Sequence, residues 1–231
     1  MLKIWDATNF RRTFTGLALL AAPLIDLAAA LWYPRFPGDP NGDMTVIADD
    51  PNRFLITSML HILASVLFVP AIVGIMNLLR ERGVMLAHLG GGLAVLGFLG
   101  RLAFTSLGLM QLPLATHPNR AQALAFAEQA MSSPPFLIFL LTFLAGLFLG
   151  LLLLAIAVWR SRVAPWWIAL CFVLALVMDQ FGPAGIGFLL TTGLMVIGFG
   201  YIGLKVLRMS DEAWERPRLA DADVRLHPAT S

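Results

Sequence analysis

Six long apolar runs, separated by short polar breaks, restrict what this sequence can fold into more than any other feature. A helix needs about 20 apolar residues to cross the hydrocarbon core of a bilayer. Six segments meet or approach that length: residues 14–33, 54–79, 86–110, 136–158, 164–181 and 184–207. The sequence therefore predicts an all-α, polytopic integral membrane protein whose six transmembrane helices form one bundle.

The composition supports this interpretation, because charged residues are too few to cover a water-soluble surface. Apolar residues make up 58% of the chain and charged residues 13%, whereas a soluble domain normally contains about a quarter charged residues. The chain has one cysteine, Cys171, so neither an intramolecular disulfide nor a CxxC redox pair can form. These features exclude a soluble enzyme, a disordered chain and a disulfide-stabilised scaffold.

Two details of the apolar runs predict their number and the domain organisation. The first run contains Pro23 and Asp26 and is not followed by a small-residue cleavage site, so we interpret it as a retained span and not as a signal peptide. Gly182 and Pro183 indicate a tight turn between the fifth and sixth runs, which favours six spans over five or seven. We therefore expect one membrane domain, residues 1–209, followed by a polar cytoplasmic tail, residues 210–231.

The distribution of Lys and Arg predicts the orientation of the bundle. Twelve of the sixteen basic residues lie on the side that carries the two termini, three lie on the opposite side, and Arg101 lies within a span. Basic residues accumulate on the cytoplasmic side of membrane proteins. We therefore expect a multi-pass protein of the bacterial inner membrane, with both termini in the cytoplasm.

The segments outside the spans offer only weak signals for metal or cofactor binding. In the loop 34–53, four acidic or amide side chains match the spacing of a calcium-binding loop, but Met44 occupies the position where glycine is required. A turn-rich acidic loop is the simpler interpretation. His61 and His88 lie near opposite membrane surfaces, about 20 Å apart, so they cannot bind one haem iron. We predict no cofactor and no metal site, and we expect residues 118–132 to form an amphipathic helix.

Four ionisable side chains lie inside the predicted spans, although a charge at the bilayer centre costs about 3 kcal/mol or more. Along the helices, Asp26 lies about 18 Å from the cytoplasmic surface, and Arg101 and Asp179 lie about 22 Å from it. His61 lies about 10 Å below the outer surface. All four therefore fall in the outer half of the bilayer. Small and hydroxyl residues surround them at helical spacing, which indicates helix contacts or a cavity and not lipid.

We therefore predict one polar cluster near the outer leaflet, with Arg101 held between Asp26 and Asp179. His61 and either Thr191 or Thr192 should lie nearby. With both carboxylates ionised and His61 neutral, the cluster carries one net negative charge, which a proton, a cation or a bound cationic group would neutralise. The same charges can also serve only to hold helices together, and the sequence leaves both interpretations open.

Three classes of function remain open. The first is a protein that binds or transports a small molecule or ion through this outer-leaflet cluster. The second is an accessory or structural membrane subunit, in which the same charges stabilise helix packing and the outer loops meet a membrane-protein partner or a second copy. The third is an enzyme acting on a lipid-linked substrate, with His61 as acid or base. This third class is least favoured, because common catalytic signatures such as GxSxG and HExxH are absent.

The lipid bilayer is the partner that the sequence predicts most directly. The few charged residues flank the apolar runs, as orientation in a membrane requires, and they do not form the basic patch of a nucleic-acid-binding protein. We therefore expect no nucleic-acid partner.

Overall fold

The computed structural model describes residues 7–81, 83–182 and 186–215, and within these residues all regular secondary structure is helical. The helices are α1 (Ala7–Trp32), α2 (Pro40–Asp49), α3 (Pro51–Leu79), α4 (Val84–Gly108), α5 (Gln111–Ala115), α6 (Arg120–Met131), α7 (Pro134–Ser161), α8 (Trp166–Phe181), α9 (Ile186–Arg208) and α10 (Asp211–Glu215). The predicted all-α fold class is confirmed. Lys3 and Arg82 of the charge count, Pro183 of the predicted turn and the tail beyond residue 215 lie outside the described residues.

Five stretches of helix in the described residues are long and apolar enough to cross a bilayer, as in a multi-pass membrane protein. They are α1, α3, α4 continued through α5, α7 and α9. α8 coincides with the fifth predicted span but has only 16 residues. Its length of about 24 Å is less than a hydrocarbon core of about 30 Å. The structure therefore shows a bundle with five long apolar helices, and the sixth span remains a prediction.

The five long helices and α8 form a closed ring around an aromatic core. α1 packs against α3 and α9, and the ring continues from α3 through α4, α7 and α8 to α9. Phe68 of α3 stacks on Phe98 of α4 with ring centroids 4.1 Å apart, and it meets Phe199 of α9 edge-on at 5.2 Å. Phe199 also contacts Phe172 of α8 at 5.0 Å. These buried rings join four of the six helices from inside.

α4 and α7 approach each other closely because glycines face each other across their contact. A Cβ atom added to Gly146 of α7 would lie 2.7 Å from the Cα atom of Gly97 in α4. Gly150, the second glycine of a GxxxG pattern, packs in the same way against Ala94. Small residues at this spacing let two helix backbones meet in a membrane, and that is their role here.

The segment 34–53 is largely helical, so the prediction of a turn-rich loop is wrong. α2 begins with a proline, and the Asp39 carboxylate accepts a hydrogen bond of 2.8 Å from the Gly42 amide, as an N-cap does. Asp50 caps α3 in the same way, through the Arg53 amide at 3.0 Å. The turn signals mislead because Asp followed by Pro starts a helix as well as a turn. Two carboxylates that matched a calcium loop are therefore helix caps.

α2, α5 and α6 form a small cap on the end of the ring where α1 ends and α3 begins. The apolar interior of this α2–α5–α6 cap consists of five buried residues: Met44, Ile47, Phe54, Ala115 and Ala127. Arg120 fastens α2 to α6, because its guanidinium donates to the Asn41 carbonyl at 2.7 Å and to Thr45 Oγ1 at 3.0 Å. The helix predicted at 118–132 is confirmed as α6, but its apolar residues are not confined to one face, so the predicted amphipathic character is wrong.

The opposite end of the ring, where α1 begins and α9 ends, is closed by α10. Trp214 of α10 is buried. Arg12 of α1 donates to Asp211 Oδ1 at 2.8 Å and to the Met209 carbonyl at 2.6 Å. The first residues of the polar tail therefore pack against the bundle. We call this end the termini end.

Candidate functional site

The ionisable residues of the spans converge at the end of the ring that carries the α2–α5–α6 cap. α1 and α4 run toward this end, and Asp26 and Arg101 lie within about their last two turns. α3 and α9 run away from it, and His61 and Thr191 lie in their first three turns or so. Because neighbouring helices alternate in direction, residues far apart in the sequence reach one level.

Arg101 and Asp26 form a buried, bidentate ion pair. Arg101 Nη1 donates to Asp26 Oδ2 at 3.0 Å, and Nη2 donates to Oδ1 at 2.5 Å. The two side chains are only 11% and 6% exposed. Parallel hydrogen bonds of this kind give a guanidinium and a carboxylate their strongest and most specific pairing. Each charge has its neutralising partner, which is the condition for burying both.

His61 joins this pair and can bond to either charge, depending on where its proton lies. Its Nδ1 atom is 2.8 Å from Asp26 Oδ1 and 2.9 Å from Arg101 Nη2. A protonated Nδ1 donates to the carboxylate, whereas an unprotonated Nδ1 accepts from the guanidinium, so the two bonds exclude each other. Tyr33 and Phe188 enclose the imidazole, with ring centroids 5.4 and 5.6 Å away. We call Asp26, His61 and Arg101 the charged triad.

Asp179 is not part of this triad, so the expectation that it holds Arg101 from a second side is wrong. Asp179 lies in the last turn of α8, it is exposed, and its Oδ2 atom accepts a hydrogen bond of 3.0 Å from Gln180 Nε2. No basic side chain in the described part of the chain lies within 4.0 Å of its carboxylate. Both terminal nitrogens of the Arg101 guanidinium, Nη1 and Nη2, already donate hydrogen bonds to Asp26.

Thr191 lies at the expected level, but its hydroxyl serves the fold. Thr191 Oγ1 donates to the Ala175 carbonyl at 3.1 Å, which joins α9 to the short helix α8. The neighbouring Thr192 hydroxyl bonds to carbonyls of its own helix, at 3.1 Å. Thr191 therefore helps to position α8, and with it Asp179.

A pocket connects the charged triad with the outer surface of the bundle between α7 and α8. Arg101 and Asp26 form its buried end, and Asp179 is part of its lining. Leu144 and Phe148 of α7 also line it and are 38% and 40% exposed. The centre of a water molecule can occupy about 60 Å³ of this pocket, which is room for a few waters or a small chemical group. The exposure of these two α7 residues places part of the lining at the outer surface of the ring.

Aromatic rings make up much of the pocket lining, and sequence reasoning does not identify them. They come from four helices and comprise Phe68, Phe98, Phe143, Phe148 and Phe188. In the sequence, these rings look like any other core or lipid-facing phenylalanines. One signal is present on α9, where four pocket residues repeat at helical spacing and so share one face: Phe188, Thr191, Thr192 and Met195.

No protein-family model matches this chain, and no curated protein or solved structure is significantly similar to it. Among the described residues, no three His, Cys, Asp or Glu side chains are placed to hold a metal ion. The chemistry of the pocket and of the charged triad is therefore the basis for assigning a function.

Proposed function

We propose that this protein is a six-span protein of the bacterial inner membrane that binds or transports a small organic cation in the pocket beside the charged triad. The observation that carries the proposal is Asp179, whose carboxylate lines an aromatic pocket and has no basic side chain within 4.0 Å among the described residues. Arg101 and Asp26 neutralise each other. An ionised Asp179 therefore gives the pocket one net negative charge.

The aromatic lining favours the same class of ligand. The face of a phenylalanine ring attracts a cation within about 6 Å of its centroid, and Phe143, Phe148 and Phe188 line the pocket together with Asp179. The same rings also stabilise an apolar substituent by removing it from water. An amine or quaternary ammonium compound with a small apolar group satisfies both requirements.

The proposed topology rests on the position of α8 and on the basic residues. α8 packs between α7 and α9, both of which are long enough to cross a bilayer, so we infer that it lies in the same layer. Exposed tryptophans at its start, Trp166 and Trp167, suit the membrane interface. Among the described residues, seven basic side chains lie at the termini end and three at the opposite end, so we infer that the termini end faces the cytoplasm. The pocket then lies in the outer half of the bilayer.

Benzyltrimethylammonium and its uncharged isostere neopentylbenzene test the proposal. We expect the detergent-solubilised protein to bind the ammonium compound more tightly than the neutral one. The substitution Asp179→Asn should weaken binding of the ammonium compound by about fivefold, the value of a partly exposed ion pair. Isothermal titration calorimetry measures both affinities. Asp49→Asn is the matched control, because Asp49 is an exposed carboxylate at the same end of the molecule and lies outside the pocket.

Two results would refute the proposal. One is equal affinity of the wild-type protein for the charged and the neutral compound. The other is equal loss of affinity in the Asp179→Asn and Asp49→Asn variants, which would indicate general attraction of cations to the surface.

A second candidate is an accessory or structural subunit, and one observation favours it. The side chains of the charged triad are only 6–11% exposed to solvent, and their hydrogen bonds connect α1, α3 and α4. On this hypothesis the triad only fixes helix packing, and neither compound binds specifically. The hypothesis of an enzyme for a lipid-linked substrate gains no support from the pocket, because His61 is not among its described lining residues.

A further inference from the structure

A second concave surface lies at the termini end of the ring, in the turn between α7 and α8. It is an open groove of about 520 Å³, and the residues that matter here are Trp159, Arg162, Trp166, Tyr201 and Lys205. Arg162 and Lys205 are exposed, and the described lining contains no acidic side chain. The groove therefore carries two positive charges without an acidic counter-charge in its lining.

The local backbone keeps hydrogen-bond donors at this groove. Lys205 Nζ donates to the Val163 carbonyl at 2.6 Å, which holds the ammonium group beside the turn. α8 starts at Trp166 with Pro165 as its N-cap, and no side chain caps its first amides. The first amides of a helix carry partial positive charge. Arg162, Lys205 and the start of α8 thus all contribute positive charge to one groove.

The aromatic residues indicate where this space lies relative to a membrane. Trp159 and Trp166 are 61% and 66% exposed at the groove, and Tyr201 is 37% exposed. Exposed Trp and Tyr side chains of membrane proteins concentrate at the level of the lipid headgroups. Basic pockets between helices at that level on the cytoplasmic side bind acidic headgroups.

We propose that this groove binds the phosphate group of an anionic phospholipid, such as phosphatidylglycerol, from the leaflet at the termini end. The lipid phosphate pairs with Arg162 and Lys205, and the aromatic side chains pack against the glycerol region. The proposal requires that the bundle is embedded in a bilayer. It is independent of the cation pocket, because the two sites share no residue and lie at opposite ends of the ring.

Native mass spectrometry of the detergent-solubilised protein, offered equal amounts of phosphatidylglycerol and phosphatidylcholine, tests this site. We expect the wild-type protein to retain phosphatidylglycerol with a preference of about tenfold, because each basic residue near an acidic membrane surface contributes appreciably. The double variant Arg162→Gln/Lys205→Gln should lose that preference. The double variant Arg160→Gln/Arg208→Gln is the matched control, because it removes the same charge from exposed residues at the same end but outside the groove.

The possible outcomes distinguish specific lipid binding in the groove from general attraction of anionic lipids to basic residues at this end of the protein. Retention of the preference in the control and its loss in the groove variant support the proposal. Equal loss in both double variants, or no preference in the wild-type protein, overturns it. Displacement of the lipid by excess inorganic phosphate also overturns it, because the groove would then be a site for soluble phosphate. Should the groove variant fail to fold, Arg162→Gln alone, which preserves the Lys205–Val163 hydrogen bond, is expected to reduce the preference by about threefold.

Discussion

The substitution Arg101→Met gives the sharpest test of how the charged triad contributes to stability. It removes the guanidinium but keeps a side chain of similar length at a site that is almost completely buried. Asp26 then keeps only one polar neighbour of the triad, His61, whose Nδ1 atom lies 2.8 Å from its carboxylate. The buried carboxylate therefore loses both hydrogen bonds that the guanidinium supplied.

The size of the effect follows from these contacts. Removing one partner of a buried ion pair destabilises a protein by about 3–5 kcal/mol, because the other charge is left uncompensated. We therefore expect the free energy of unfolding to fall by about 3 kcal/mol or more.

Reversible unfolding of the protein in mixed detergent micelles, followed by tryptophan fluorescence, measures this free energy. The double variant Arg101→Met/Asp26→Leu should lose less stability than the two single variants together, by about 1 kcal/mol or more. Arg35→Met, at an exposed arginine, is the control and should change stability by less than about 0.5 kcal/mol. An Arg101→Met variant as stable as the control, or strictly additive single and double variants, would refute the structural role of the triad.

Two further predictions concern helix packing. Gly146→Ala should destabilise the protein by about 1–3 kcal/mol, because the new Cβ atom meets the backbone of Gly97. Gly92→Ala, where no atom lies within 4 Å of an added Cβ, should have little effect, and equal shifts in melting temperature for the two would contradict the α4–α7 contact. Arg120→Ala should loosen the α2–α5–α6 cap, because it removes the hydrogen bonds to Asn41 and Thr45. Limited proteolysis should then cleave the segment 34–50 faster than in an Arg160→Ala control, an exposed arginine at the other end of the ring, and unchanged cleavage would show that Arg120 does not hold the cap.

The helices of the ring could be predicted because their apolar runs are long and their boundaries are marked. The predicted span 136–158 lies inside α7 (Pro134–Ser161), and 54–79 lies inside α3 (Pro51–Leu79). α3 begins before its apolar run and α7 extends beyond its run at both ends, because a helix continues through flanking residues that are less apolar. Within the α2–α5–α6 cap, α6 could be predicted, whereas α2 could not, because a short helix begins with the same Asp and Pro residues as a turn.

The candidate site could be predicted only in part. Distance along a helix predicts the depth of an ionisable side chain, and this placed Asp26, His61 and Arg101 at one level. Depth does not distinguish Asp26 from Asp179 as the partner of Arg101, since that choice depends on the order in which the helices pack around the ring. The pocket could not be predicted either, because a phenylalanine that lines a cavity has no mark in the sequence that separates it from one that faces lipid.

The most direct test of the proposed cation site is an experimental structure of the protein with 4-bromobenzyltrimethylammonium, whose bromine atom is located by anomalous scattering. The proposed function predicts one principal bromine position between α7 and α8, among the rings of Phe143 and Phe148, with the ammonium group directed at the Asp179 carboxylate. A principal position elsewhere on the bundle, or none in crystals soaked well above the measured dissociation constant, would contradict it.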